Sequence, residues 1–330
     1  MIDRRFSALA HALRRVTRWV VPYLTTTALL VFTAAVAFAA MGHLHPTRQI
    51  EAAHLPALIR ALHATPGEVD DELLVETVFT ADVLPAGDAE AIFYRLTLPA
   101  GTSLPAPAGP FCLCRSDFVA AGVGIEMVQS GTYSLRLEMP IQVQRGGASG
   151  IVEEMAAGQD VLLGPGDAAV YADYASAGTL RNAGQDPIVI LGMAIVTKEG
   201  TGIDLPLPPD GVKVQLLASS LTSDWESLTP GPVTISLWRL RLPARTSVGP
   251  YAGAGLEALA VENGTISRRY LRLAEHTPLP PLTQYPGVQS VFLAPAPGIR
   301  RSFTSGDAEP AVLLAMSIEP EAIWSTTLAP

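Results

Sequence analysis

The sequence predicts an all-β protein, two tandem barrels or sandwiches behind a hydrophobic N-terminal helix, and three observations carry that expectation. The chain repeats itself: residues 93–104 read FYRLTLPAGTSL and residues 237–248 read LWRLRLPARTSV, with seven of twelve positions identical, beginning at Arg95 and Arg239. A second pair, PIVILGMAI over 187–195 and PAVLLAMSI over 310–318, agrees at five of nine. Two head-to-tail copies of a unit of roughly 110 residues suit a chain of 330, and 48% hydrophobic residues are material for two cores. Between these landmarks, short apolar runs such as ETVFTADV, AIFYRLTL, YSLRLEM and QDVLLGP are separated by turns drawing on 28 Gly and 28 Pro, the texture of short antiparallel strands. Finally, residues 19–42 contain no charge.

In chain order, residues 1–18 form a basic segment, with Arg4, Arg5, Arg14, Arg15 and Arg18 against Asp3 alone. That is +4 within a total of −9 and leaves −13 on the rest, which argues against nucleic acid, since phosphate binding needs a basic face. Residues 19–42, as a helix rising about 1.5 Å per residue, would cross a hydrocarbon core of about 30 Å. With the arginines on its N-terminal side, the anchor leaves the start in the cytoplasm and sends residues 43–330 outward. The alternative is a cleaved signal, for which Ala37-Phe38-Ala39 offers a small-x-small site and after which the protein is secreted. Residues 43–72 read as a linker with one short helix that puts Ile50, Leu55, Leu58, Ile59 and Leu62 on roughly one side. The first barrel spans 73–206 and the second 207–330, with a Pro-rich joint over 203–213. Copy one carries an insertion of about 13 residues between Pro99 and Gly124, and it holds both cysteines.

Copy two reads RLPARTSVGPYAGAGLEALAVENGTI, in which Glu257 precedes Gly264 by seven positions; copy one reads GIEMVQSGT, in which Glu126 precedes Gly131 by five. Further on, GPGDAAVYADYASAGTLRNAGQDP contains Gly166, Asp167 and Asn182, and APAPGIRRSFTSGDAEP echoes it loosely. These residues resemble the two sequence motifs of the cupin superfamily, and the tandem copies over residues 73–320 resemble a bicupin. The resemblance implies two jelly-roll barrels, each with strands wrapped around a central pocket. It also implies, for a metal-binding member, three His and one Glu pointing inward. This chain departs from that set: of His11, His43, His45, His54, His63 and His276, only His276 falls inside a copy. Gly178 and Arg300 stand at the second-motif histidine positions, and Pro250-Tyr251-Ala252-Gly253 replaces His-x-His. Glycine has no donor atom and arginine stays protonated, so no metal and no other cofactor is expected.

The remaining candidates have two readings each. Glu126 and Glu257, if buried without a metal, would have raised pKa values suited to acid or base work, or would simply be hydrogen-bonded to neighbouring strands. Tyr171 is a pocket residue or a core tyrosine. Arg300 and Arg301 sit where the resemblance implies the pocket wall, and a guanidinium there could fork onto a carboxylate or phosphate; the other reading is a solvated turn. Arg181 adjoins Asn182, whose side chain can pin a bend. Cys112 and Cys114 would close a tight, strained disulfide open to a redox role, or are structural. No phosphate loop, nucleophile elbow or helical zinc motif is present. The expectation is a membrane-anchored, extracytoplasmic, non-catalytic protein that binds a small molecule or a partner without a metal, with a homodimer as a further possibility. The alternatives are a cupin-type isomerase or dioxygenase with atypical ligands such as Glu257 and His276, and a structural or adhesive module.

Overall fold

The computed structural model describes residues 55–65, 69–85, 89–105, 122–172, 178–197, 210–220, 231–253, 255–272, 277–278, 281–293 and 298–320. The hydrophobic segment 19–42, Cys112, Cys114 and His276 lie outside the described residues. Among those described, no helix is long and apolar enough to cross a membrane.

The one helix among them, α1 (Ala57–His63), precedes β1 (Asp70–Phe79). Copy one then supplies β2 (Ala89–Leu98), β3 (Ser103–Pro105), β4 (Gly122–Ser130), β5 (Tyr133–Leu137), β6 (Ile141–Arg145), β7 (Ile151–Met155), β8 (Asp160–Leu163), β9 (Ala168–Tyr171), β10 (Gly178–Arg181) and β11 (Ile188–Thr197). Copy two supplies β12 (Lys213–Ser219), β13 (Val233–Leu242), β14 (Ser247–Tyr251), β15 (Leu256–Asn263), β16 (Ile266–Arg272), β17 (Thr277–Pro278), β18 (Leu282–Gln284), β19 (Ser290–Val291), β20 (Ile299–Ser305) and β21 (Ala311–Pro320). The first barrel sets a sheet ordered β19-β12-β2-β11-β4-β9-β6-β7 against β3-β10-β5-β8. The second sets β1-β13-β21-β15 against β14-β20-β16-β17, with β18 also on β16.

The strand that opens each copy lies on the other copy's sheet. β1 runs antiparallel to β13, with Glu72 opposite Arg239, and β12 runs antiparallel to β2, with Gln215 opposite Arg95. The central strands read as unbroken apolar runs because both of their faces are covered. On β2, Ile92, Tyr94, Leu96 and Leu98 point into the first barrel, while Ala89, Ala91 and Phe93 join Val233, Ile235 and Leu237 of β13 in a core between the barrels. On β13, Trp238, Leu240 and Leu242 point into the second barrel and share an apolar cluster with Leu58, Ile59 and Leu62 of α1. The helix thus inserts its apolar side among the second barrel's interior residues. The Glu319 carboxyl at the end of β21 accepts the backbone N–H of Ala57 at the helix start.

Gly131 and Gly264, the motif glycines, have φ of +82° and +72° in the turns after β4 and β15. A Cβ on Gly131 would sit 2.4 Å from Ile188 Cγ2, and one on Gly264 would sit 2.6 Å from the Pro310 carbonyl oxygen. Conformation and close approach therefore both require glycine there.

Candidate ligand site

The repeats fix which interior positions correspond. Gly192 on β11 lies opposite Tyr94 and Glu126. Its counterpart Ala315 on β21 lies opposite Trp238 and Leu259. Glu257 instead faces Ser317, whose counterpart Ala194 faces Gly124. β4 and β15 each carry a register shift, at Gln129 and Glu262 respectively, so the strands match without a gap. Glu126 and Glu257 are consequently one inward row apart, and the shorter spacing to Gly131 reflects a displaced carboxylate.

In the first barrel, Glu126 is fully buried and accepts hydrogen bonds from Tyr171 Oη at 2.6 Å and Tyr94 Oη at 3.2 Å. Burial, then the Glu126 charge and the neighbouring Tyr133, hold the Tyr171 phenol well above its ordinary pKa, so it remains a donor. Leucines, valines and isoleucines from both sheets pack around this group. Gly192 provides room for it: a Cβ there would lie 2.0 Å from Tyr94 Cζ.

The second barrel differs at one end. Where copy one has Ile92, Gly124, Ala194 and Val196 on the inward rows, copy two has Ser236, Glu257, Ser317 and Glu319, all buried. Ser236 and Ser317 hydroxyls pair at 2.8 Å, and Trp238 Nε1 donates to Ser236 Oγ at 3.0 Å. Tyr251 Oη donates to Glu257 Oε1 at 2.6 Å, and Arg301 Nη1 stands 3.9 Å from Glu257 Oε2. Arg301 Nη2 donates to the Leu293 carbonyl at 3.1 Å. Burial and the Glu257 charge push the Tyr251 phenol well above its ordinary range, and Arg268 and Arg301 pull the other way. Arg268, 4% exposed, donates to Gln284 Oε1 at 3.4 Å and to Ser290 Oγ at 3.3 Å.

Arg300 and Arg181 point outward and are exposed, so neither joins this group. Period-two alternation explains it: in each doublet, Arg268-Arg269 and Arg300-Arg301, one guanidinium enters the barrel and its neighbour faces solvent. Asn182 is buried and pins its bend, donating to the Leu98, Pro99 and Asp186 carbonyls and accepting the Gly184 N–H. Asp167 similarly accepts the Gly146 and Gly164 N–H groups and Arg145 Nη1. Sequence reading missed Tyr94, Tyr251, Arg268 and Glu319 as interior polar groups. The strand period over 266–272 was the available signal for Arg268.

A cupin metal does not fit these residues. Among the described residues, no three His, Cys, Asp or Glu side chains come together. Glu126 is held by neutral phenols, and Glu257 already faces a guanidinium, which opposes a second cation.

No family model matches the chain, and no curated relative does. Solved structures similar to it include AerE from Microcystis aeruginosa, at 15% identity over 74% of this chain and 98% of that one, with a TM-score of 0.36. A cupin 2 conserved barrel domain protein from Leptotrichia buccalis is 10% identical over 80% and 96%, with a TM-score of 0.31. The recombinant pro-11S globulin of pumpkin is 11% identical over 76% and 84%, with a TM-score of 0.39. The chain resembles the bicupins. Its bicupin-like features are the tandem repeat, the paired sheets of each barrel, and the motif glycines in equivalent turns.

Proposed function

We propose that the chain is a membrane-anchored, extracytoplasmic, bicupin-like binding protein that takes a small molecule in its second barrel, without a metal and without catalysis. The observation that carries this reading is the row comparison: four inward positions that are apolar or glycine in the first barrel are polar in the second. A few converging polar groups in an otherwise apolar interior are what orients a small molecule, so their concentration at one barrel end supports recognition there. The first barrel, filled around Glu126 and its tyrosines, is the scaffold. The uncharged segment 19–42 behind five arginines supports the anchor and its orientation.

The full-length chain, purified in detergent without chelator, tests the reading by elemental analysis and by mass spectrometry of solvent-extracted small molecules. A compound near one per chain, lost in Glu257→Leu, with no stoichiometric Fe, Mn, Ni or Zn, is the expected result. Near-stoichiometric metal would overturn it in favour of a cupin-type enzyme. An alkaline phosphatase fusion at the C-terminus tests the orientation: an inactive reporter would place the barrels in the cytoplasm.

A further inference from the structure

Resting on the second barrel as the binding site, we infer that the molecule it takes is a small monocarboxylate, clamped by the guanidinium groups of Arg268 and Arg301.

Both arginines are nearly inaccessible, at 4% and 5% exposure, and both point inward from neighbouring strands: on the paired strands β16 and β20, Arg268 lies opposite Phe303, two residues from Arg301. A guanidinium cannot shed its charge at any ordinary pH, so burying one demands an anion or a large loss of hydration. Arg301 has Glu257. Arg268 is different: among the described residues its partners are the neutral Gln284 and Ser290, at hydrogen-bond lengths of 3.4 and 3.3 Å. Gln284 also donates to Ser290 Oγ at 3.3 Å, which holds this neutral pair beside the guanidinium. Glu319, the other inward carboxyl of this barrel, is engaged at the start of α1.

The charge sum chooses the ligand class. Among the described residues, and at a pH below about 7 where Glu319 holds its proton, two guanidinium groups against Glu257 leave one positive charge, which a single carboxylate balances; phosphate, standing near Glu257 and able to carry a second charge, would overshoot. A planar carboxylate also matches the fork of a guanidinium, and Tyr251, kept as a phenol, is a second donor type beside it. Trp238, Phe303 and Leu240 form the apolar surroundings for the body of such a molecule.

The probes are acetate, benzoate, phosphate and a neutral amide, benzamide, titrated into the full-length chain in chloride buffer and followed by calorimetry and tryptophan fluorescence. Saturable binding of acetate or benzoate is expected, weakened roughly ten- to a hundred-fold in Arg268→Gln and in Arg301→Gln. Arg300→Gln, at the exposed neighbour, should bind as the parent does. A separate readout guards against misfolding: without ligand, Arg268→Gln should be as resistant to denaturant as the parent or more so, because it removes a buried charge whose partners among the described residues are neutral. Arg268→Lys, which keeps the charge and loses the fork, should bind with intermediate affinity. Tighter binding of phosphate or benzamide, unchanged affinity in Arg268→Gln, or no anion binding at all would overturn the carboxylate assignment. A neutral compound co-purifying in the second barrel would leave the binding function standing while removing this one; stoichiometric metal would remove both.

Discussion

Arg95 and Arg239, the first identical residues of the two repeats, reach the same carboxylate. Arg95 Nη2 lies 2.6 Å from Glu262 Oε1, and Arg239 Nε lies 3.3 Å from Glu262 Oε2. Gln129, the counterpart of Glu262 in copy one, donates to the same oxygen as Arg95, at 3.0 Å. The two repeat arginines therefore share one acid, and Arg239 also reaches Glu72 of β1 at 3.4 Å.

Removing that acid takes the shared carboxylate from two part-buried guanidinium groups and leaves Arg239 with Glu72. Glu262→Gln should lower stability by about 1–3 kcal/mol. Gln129→Glu in the same chain should restore most of the loss, because it moves the carboxylate to the equivalent site. Urea unfolding of the four members of this cycle checks both statements.

Gly192 and Tyr94 form a size pair. Gly192→Ala would drive a methyl into the tyrosine ring and should cost on the order of 1–3 kcal/mol. Tyr94→Leu should relieve the clash, so that the double variant is less destabilised than the two single effects would sum to. Thermal unfolding of the three variants measures the coupling.

Glu319 gives the stability a slope with pH. Burial raises its pKa from 4.5 to about 7, against the Ala57 N–H and Arg60 on α1, while Glu257 on β15 and Glu76 on β1 add to the rise. Between those values the folded chain holds a proton that the unfolded chain has released, so this contribution is complete below about 4.5 and is lost as the pH rises toward 7. Glu319→Gln should flatten the denaturation midpoint across that window. A slope unchanged by the substitution would assign it to another group.

Asn182 and Arg181 are neighbours with opposite expectations. Asn182→Ala strips hydrogen bonds from three carbonyls and one N–H, and should destabilise by about 2–4 kcal/mol. Arg181→Ala, on an exposed side chain, should stay within about 0.5 kcal/mol. Denaturant midpoints of the two variants make the comparison.

The all-β class was legible because repeats and strand texture are local properties, and the motif glycines could be found because a positive φ leaves few alternatives. The site was harder to read. Whether Arg300 or Arg301 enters the barrel depends on strand phase, and a one-residue slip inverts the answer. Glu126 and Glu257 look equivalent by motif, yet the register sets them on different rows, and only the pairing of β11 and β21 shows it. Arg268 lies in a charged run, RR, that composition alone assigns to solvent. Its burial follows from what Gln284 and Ser290 bring from elsewhere in the chain.

The reciprocal placement of β1 and β12 makes the two halves mutually dependent. Severed at the joint, each fragment would keep a strand that belongs on the other and present a bare sheet edge where its own cover is missing. Duplication here has produced an indivisible pair: each copy completes the wall of the other, and a lesion in either is inherited by both.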